Sequence, residues 1–215
     1  MPCMESPTTL QHATKALREL ARVKRSAELQ LKTRLIGAAN QADHELPDWL
    51  IRELRSNHAG EAGAVMIYRG ILAVSKNSEV RAFALRHLET EQDHLRRITE
   101  VMPPNTETQL LGLWKLMGWL TGALPSLAGP HAVFATIEAV ETFVDHHYQE
   151  QIVRLSEDGP FKGLRQLLVE CQQDEVAHRD EAASLVETKI GLLTRCWQWL
   201  VGFGSKGAVF IARKI

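Results

Sequence analysis

Two short stretches of the chain carry one pattern, Glu91-Gln92-Asp93-His94 and Glu175-Val176-Ala177-His178. On an α-helix, residues i and i+3 lie about 60° apart and one turn along the same face, so each Glu and His can address one metal ion. Such a pair on each of two helices is half of the di-metal carboxylate signature of a four-helix bundle, and the other half is one Glu on each remaining helix. The chain offers Glu61 in Asn57-His58-Ala59-Gly60-Glu61 and Glu141 in Val140-Glu141-Thr142. Glu61 to Glu91 is 30 residues and Glu141 to Glu175 is 34, a spacing that suits two helical hairpins related by an internal pseudo-repeat.

Two divalent ions bring four positive charges, which Glu61, Glu91, Glu141 and Glu175 offset while His94 and His178 stay neutral. Without that charge, four carboxylates in a low-dielectric core would have raised pKa values and would destabilise the bundle. Mixed carboxylate and imidazole ligation suits iron or manganese better than structural zinc. The set leaves open coordination positions, as O₂ binding and two-electron activation require. A lone helical Glu is ordinarily a solvent-facing residue. Four at matching depths on four helices, two of them with His at i+3, favour the metal site.

The elements that must position these residues are helical. Residues 9–39 have a moderately amphipathic pattern and supply no ligand. Pro47 opens a helix that runs to Lys76 and carries Glu61. Asn77-Ser78 supplies a turn and N-cap for a second helix over 80–101, which Pro103-Pro104 stops. Gly129-Pro130 starts a third, through Glu141 and Tyr148 to about 157, and Asp158-Gly159-Pro160 separates it from a fourth that runs to 189. Residues 110–128 are the most apolar stretch, with Lys115 its one charge and Pro125 near its end. A span here would put the two halves of the metal site on opposite sides of a bilayer. It is therefore expected to be a crossover that caps the bundle or lies in a membrane interface, with a wholly buried crossover helix as the alternative. The segment 191–215 sets Trp197, Trp199 and Phe203 beside Lys206, Arg213 and Lys214, which suits an interface or docking against the bundle. The expected divisions are an N-terminal helical extension over 1–46, a metal-binding bundle over 47–190 and a helical interfacial tail over 191–215.

Composition narrows the classes. A chain of 215 residues, 45% hydrophobic and 24% charged, has the makeup of one globular domain, and a formal net charge of -1 argues against bulk nucleic-acid binding. Cys3, Cys171 and Cys196 have no Cys-x-x-Cys spacing, which excludes a zinc ribbon. The first 35 residues lack a signal-peptide apolar core, and Glu5, Glu19 and Glu28 are unusual for a transit peptide, so a bacterial, non-secreted protein is expected.

Around the six ligands, Asp174 could orient a metal-bound His from another helix or be simply exposed. Tyr148, at i+7 from Glu141, is the candidate catalytic residue, with a buried tyrosine of satisfied hydroxyl as the alternative. Tyr68 and His58 flank Glu61 similarly. His146-His147 are surface residues or a supporting pair, and Cys171 is expected in the core. Gly60 and Gly63 cost helix stability, so close helix packing or substrate access is expected there.

Taken together, the stretches Asn57 to Glu61, Glu91 to Leu95, Val140-Glu141 with His146-His147-Tyr148, and Asp174 to His178 resemble the motifs of the demethoxyubiquinone hydroxylase family, ferritin-like di-iron monooxygenases of ubiquinone biosynthesis. The tail from Gly204-Ser205-Lys206 to Arg213 is also similar. The resemblance runs from about residue 47 to the C-terminus and selects Glu141 over Glu138 by its distance from His146-His147-Tyr148. It implies an all-α, ferritin-like four-helix bundle with an apolar crossover and extra N- and C-terminal helical segments. The implied activity is hydroxylation of the benzoquinol ring of a polyprenylated quinone precursor by two iron ions, O₂ and NADH-derived electrons, although the sequence contains no Gly-rich dinucleotide fingerprint. The expected partners are the quinone and the membrane surface, with a homo-oligomer or biosynthetic complex left open, and the expected location is the cytoplasmic side of the inner membrane, held peripherally. The competing readings are a ferritin-like iron oxidase or peroxide-detoxifying protein and a membrane-associated, non-catalytic partner.

Overall fold

The computed structural model describes residues 45–186 and 191–215, together with the isolated helical positions Lys24, Glu28 and Leu31. The N-terminal extension expected over 1–46 lies almost wholly outside the described residues. Among the described residues the protein is all-helical: α1 (Asp48–Val74), α2 (Ser78–Val101), α3 (Leu111–Ala128), α4 (Pro130–Ile152), α5 (Lys162–Leu185) and α6 (Leu192–Ala212).

Local chemistry sets the ends. Pro47 precedes α1 in extended conformation, and Asp48 places an acid in its first turn. Asn77 caps α2, its side chain accepting from the Val80 amide at 3.0 Å. Between α3 and α4 stands a single residue, Gly129, at φ 106°, a conformation that favours glycine, with Pro130 at the first position of α4. α4 stops at Ile152, short of the expected 157, because the chain tightens into i to i+3 turns, Arg154 N to Gln151 O at 3.1 Å and Leu155 N to Ile152 O at 3.2 Å. That turn delivers Leu155 into the core. α5 ends at Leu185, before the expected 189.

Two apolar layers hold the bundle together. One joins Leu50 and Leu54 of α1, Ile98 and Val101 of α2, Ile152 of α4 and Leu164 and Leu168 of α5. The other joins Ile67 and Ile71 of α1, Val80 and Phe83 of α2, Phe134 and Ile137 of α4 and Ala182 of α5. α1 and α5 therefore run from the first layer to the second, and α2 and α4 run back. Because α2 and α4 are parallel, the connection between them must travel the length of the bundle, and α3 does this. The ferritin-like arrangement is met.

α3 packs on α1 almost backbone to backbone. A Cβ on Gly118 would collide with the Gly63 carbonyl, one on Gly122 with the Ile67 carbonyl, and one on Gly70 with the Trp119 carbonyl. The opposite face of α3 leaves Leu113, Leu116, Met117, Leu124 and Leu127 exposed, so the helix is not wholly buried. Among the described residues no helix is long and apolar enough to cross a membrane.

α6 docks on the bundle. The Trp197 indole N–H donates to Thr136 Oγ1 at 2.8 Å and Gln198 donates to the Ala135 carbonyl at 3.1 Å. At its far end Arg213 donates through Nε and Nη2 to Glu53 Oε2 at 2.9 and 2.7 Å.

Candidate metal centre

The polar layer lies between the two apolar ones. Glu61 on α1, Glu91 and His94 on α2, Glu141 on α4, and Glu175 and His178 on α5 all point inward, none more than 5% exposed. They fall into two groups, Glu61, Glu91, His94 and Glu175, and Glu91, Glu141, Glu175 and His178, with the donor atoms of each group within 4.8 Å of one another. Glu91 and Glu175 belong to both. Each group therefore has one terminal Glu, one His and two shared carboxylates, a set suited to two adjacent cations.

The buried donors are underused by the protein itself. Among the described residues, Glu61 Oε2, both oxygens of Glu91, Glu175 Oε2 and His178 Nδ1 have no hydrogen-bond partner. Leaving so many buried polar atoms unpaired costs roughly 1–3 kcal/mol each unless something else binds them. The donor atoms converge: His94 Nδ1 lies 3.0 Å from Glu175 Oε1 and 3.7 Å from the unpaired Glu61 Oε2, and His178 Nδ1 lies 3.1 Å from Glu91 Oε1. Carboxylate oxygens and imidazole nitrogens are the donors of an iron or manganese site, so the residues fit the metal that the sequence implies.

The protein groups compete for protons. Burial pushes the Glu61 and Glu141 carboxyls well above the usual range, the neighbouring Glu175 and Glu91 adding to the shift at Glu141, and burial raises Glu91 too. Glu175 goes the other way: burial opposes its charge, but the imidazoles of His178 and His94 beside it outweigh burial and hold the carboxyl at about 2. His178, although burial favours its neutral form, is pulled up to about 11 by Glu175 and Glu91, and His94, against the same effect of burial, is raised by Cys171, Asp174 and Glu175.

Further side chains contact the clustered donors. His94 presents Nδ1 inward and Nε2 to Asp174 Oδ2 at 3.2 Å, so the Asp174 carboxylate, its side chain 41% exposed, holds the outer edge of the ring. The Tyr148 hydroxyl donates to Glu61, and the Tyr68 hydroxyl donates to Glu141 at 3.1 Å. Each tyrosine stands seven residues after one terminal glutamate and serves the other, across the bundle. That exchange was not read from the sequence, although the equal i+7 spacing of Tyr68 from Glu61 and Tyr148 from Glu141 is a signal for it. The edge of His87 packs on the His178 ring, centroids 4.0 Å apart, and its Nε2 lies 2.9 Å from Glu181; neither residue was singled out from the sequence.

Other candidates are sorted by the fold. Glu138 stands outside both groups and accepts from Gln198 of α6 at 3.2 Å, so helix α4 presents Glu141. Asp145 pairs with Arg179 at 2.7 Å, away from the ligands. His146 is exposed, whereas His147 is buried between Ser56 Oγ, 3.2 Å from its Nε2, and Arg213 Nη2, 3.5 Å from its Nδ1; burial and that guanidinium lower its pKa to about 4. His58 is buried 3.9 Å from Glu107, and Cys171 is in the core.

A cavity of about 460 Å³ reaches the ligands from one side. Glu61, Glu91, Glu141 and Glu175 border it, and its walls are mostly apolar: Ile67 of α1, Trp114 and Leu120 of α3, Phe143 and Val144 of α4, and Leu200 and Val209 of α6. α6, which supplies no ligand, thus closes a wall of the approach.

The chain is similar to several characterised proteins. It is 35% identical over 133 residues to the human "NADPH-dependent 3-demethoxyubiquinone 3-hydroxylase, mitochondrial", covering 60% of this chain and 61% of the relative. To the "3-demethoxyubiquinol 3-hydroxylase" of Rhodospirillum rubrum it is 36% identical over 132 residues, again 60% and 61%. To the protein of that name from Cupriavidus taiwanensis it is 28% identical over 177 residues, covering 81% and 84%. The match thus spans about three fifths of the length of the human and Rhodospirillum relatives. Residues 48–212, from the first residue of α1 to the last of α6, match the family model described as "Ubiquinone biosynthesis protein COQ7", and the chain belongs to that family.

Proposed function

We propose that the protein hydroxylates the ring of a demethoxyubiquinone-type polyprenyl precursor. The observation that carries this is the apolar cavity ending on the four carboxylates of the metal cluster, a shape that admits a hydrophobic ring and sets it beside the metal donors. The names of the relatives support the substrate class.

Glu61, Glu91, His94 and Glu175 would hold one iron ion, and Glu91, Glu141, Glu175 and His178 the other. Such a pair supplies two-electron activation of O₂ and delivery of one oxygen atom to the ring. In balance, a ring C–H becomes C–OH and the second oxygen leaves as water, using two electrons and two protons. We assign the electrons to a reduced nicotinamide: the family resemblance implies NADH, and the human relative's name specifies NADPH. The chain's own residues do the rest. Tyr148 and Tyr68, whose phenols are kept protonated by burial and by the carboxylates beside them, remain donors that fix Glu61 and Glu141. Asp174 fixes the orientation of His94. The walls of α3, α4 and α6 exclude water from the reacting ring, which strengthens each electrostatic contact inside.

We place the protein peripherally on the cytoplasmic side of the bacterial inner membrane. Exposed Leu113, Leu116, Leu124 and Leu127 of α3 and Trp199, Leu200, Phe203 and Phe210 of α6 belong to the two helices that flank the cavity, and Lys115, Lys206 and Lys214 stand among them. Apolar faces with basic residues suit an interfacial helix, and a polyprenyl tail could then enter from the bilayer. Flotation with anionic vesicles tests this, and a protein that stays at the bottom of the gradient with Trp199 and Phe203 intact refutes it.

The activity is tested with purified, iron-loaded protein, a chemical reductant, a demethoxyubiquinone and ¹⁸O₂. One ¹⁸O in the product ring is expected, and none with Glu141→Ala. Oxidation of the iron with no labelled ring, in protein holding two ions, overturns the hydroxylase reading in favour of an iron oxidase.

A further inference from the structure

Gly60 is a glycine that packing among the described residues does not require. It stands in the middle of α1, where glycine weakens a helix relative to alanine. Its φ is not positive, and beyond its chain neighbours and the adjacent backbone of α1 a Cβ built on it meets no described atom within 4 Å. Gly70, Gly118 and Gly122 are different, since at each a Cβ would strike the backbone of the facing helix. What borders Gly60 is the cavity, immediately before Glu61, whose buried Oε2 is unpaired. Across the same cavity, Gly204 of α6 also lines the wall with open space where its Cβ would be.

We infer that Gly60 sets the clearance for the substrate ring over the metal ligands, with Gly204 serving the same purpose on the α6 wall. The atom that a Cβ at residue 60 would meet belongs to the cavity's occupant. A planar quinone ring can lie against a helix backbone bare of side chains, and a methyl group there lifts it from Glu61. This inference rests on the quinone reading above and makes Gly60 a specificity-determining position in it.

The test compares metal-loaded wild type, Gly60→Ala, Gly204→Ala and Gly207→Ala. Gly207 is an α6 glycine with equally open surroundings that does not line the cavity, so it reports the helix effect alone. Binding of a ubiquinone bearing one isoprene unit is followed by quenching of tryptophan fluorescence, Trp114 and Trp197 being in the cavity wall. All three variants should keep two ions and melt about 2–4 °C higher than wild type. Gly60→Ala and Gly204→Ala should bind the quinone about tenfold more weakly, the effect of one misplaced methyl in a fitted site, and Gly207→Ala should bind as wild type does. Equal binding by wild type, Gly60→Ala and Gly207→Ala overturns the inference and leaves the quinone reading standing. Loss of metal or of folding in Gly60→Ala also overturns it, since the glycine would then be structural. A wild type that binds no quinone overturns the quinone reading, and the inference with it.

Discussion

Replacing Glu175 by Gln should remove both metal ions, whereas Glu61→Gln and Glu141→Gln should each remove one. Glu175 belongs to both donor groups, accepts from His94 at 3.0 Å and lies 3.4 Å from His178. Gln keeps its volume and one carbonyl oxygen but ends the negative charge common to both ions. Two effects must be separated. In metal-free protein the substitution leaves the raised imidazoles of His94 and His178 without their main buried counter-charge, which costs about 3–5 kcal/mol. In metal-loaded protein it also forfeits the linkage energy, ~2.7 kcal/mol for each ion present at a hundred times its dissociation constant. At about 2–4 °C per kcal/mol for a chain of this size, two ions should raise the wild-type melting temperature by about 10–20 °C. Glu61→Gln and Glu141→Gln should retain roughly half of that rise, and Glu175→Gln none. Anaerobic calorimetry with and without ferrous ion, beside elemental analysis of the desalted protein, reads both quantities. One ion retained at wild-type affinity in Glu175→Gln, with both lost in Glu61→Gln, would refute the shared-carboxylate geometry.

The remaining predictions concern protons, phenols and the C-terminal helix. In metal-free protein, His178 is raised to about 11 from 6.5, so its contribution to stability is complete below about pH 6.5 and is lost as pH climbs toward 11. Glu175, lowered to about 2 from 4.5, contributes above about pH 4.5 and ceases to as pH falls toward 2. Because ligation must displace protons from the imidazoles and from the raised carboxyls, metal binding should strengthen between pH 6 and 8 and release protons, measurable by titration calorimetry in buffers of different ionisation enthalpy. Tyr148→Phe and Tyr68→Phe should each keep two ions but weaken the one on Glu61 or Glu141 by about 10–100-fold in chelator competition; an unchanged affinity would deny the cross-bundle donors a role. Arg213→Ala should destabilise by about 2 kcal/mol in denaturant unfolding, since buried Glu53 loses its two-pronged partner and keeps only Arg154 at 3.4 Å.

The pairing of Glu91 with His94 and of Glu175 with His178 and the helix order were legible in the sequence because they follow from periodicity, whereas the choice of Glu141 over Glu138 came from the family resemblance. A Glu and a His three residues apart must share a helical face, and a parallel pair of helices must be joined by a long connection. Asn77 and Pro103-Pro104 marked the ends of α2 for similarly local reasons. The end of α4 was not legible, since it depends on Leu155 turning into a core built from distant residues. The exchange of Tyr68 and Tyr148 between the two hairpins was hidden as well, because helical arithmetic reports which residues share a face and not which face lies opposite. The role of α6 in the cavity wall and the buried Glu53–Arg213 pair join residues 160 positions apart, beyond the reach of any spacing rule.

The glycine contacts between α1 and α3 have a mechanical consequence. With Gly63 against Gly118, Ile67 against Gly122 and Trp119 against Gly70, the two backbones interlock like the halves of a zip, and neither can slide or rotate without a carbonyl striking the other. The helix that shows its leucines to the outside and the helix that bears Glu61 are in effect one rigid plank. The wall that α6 supplies is built differently, from the apolar packing of Val201 and Trp197 and from side-chain bonds, Trp197 to Thr136 and Arg213 to Glu53, with no comparable glycine interlock among the described residues.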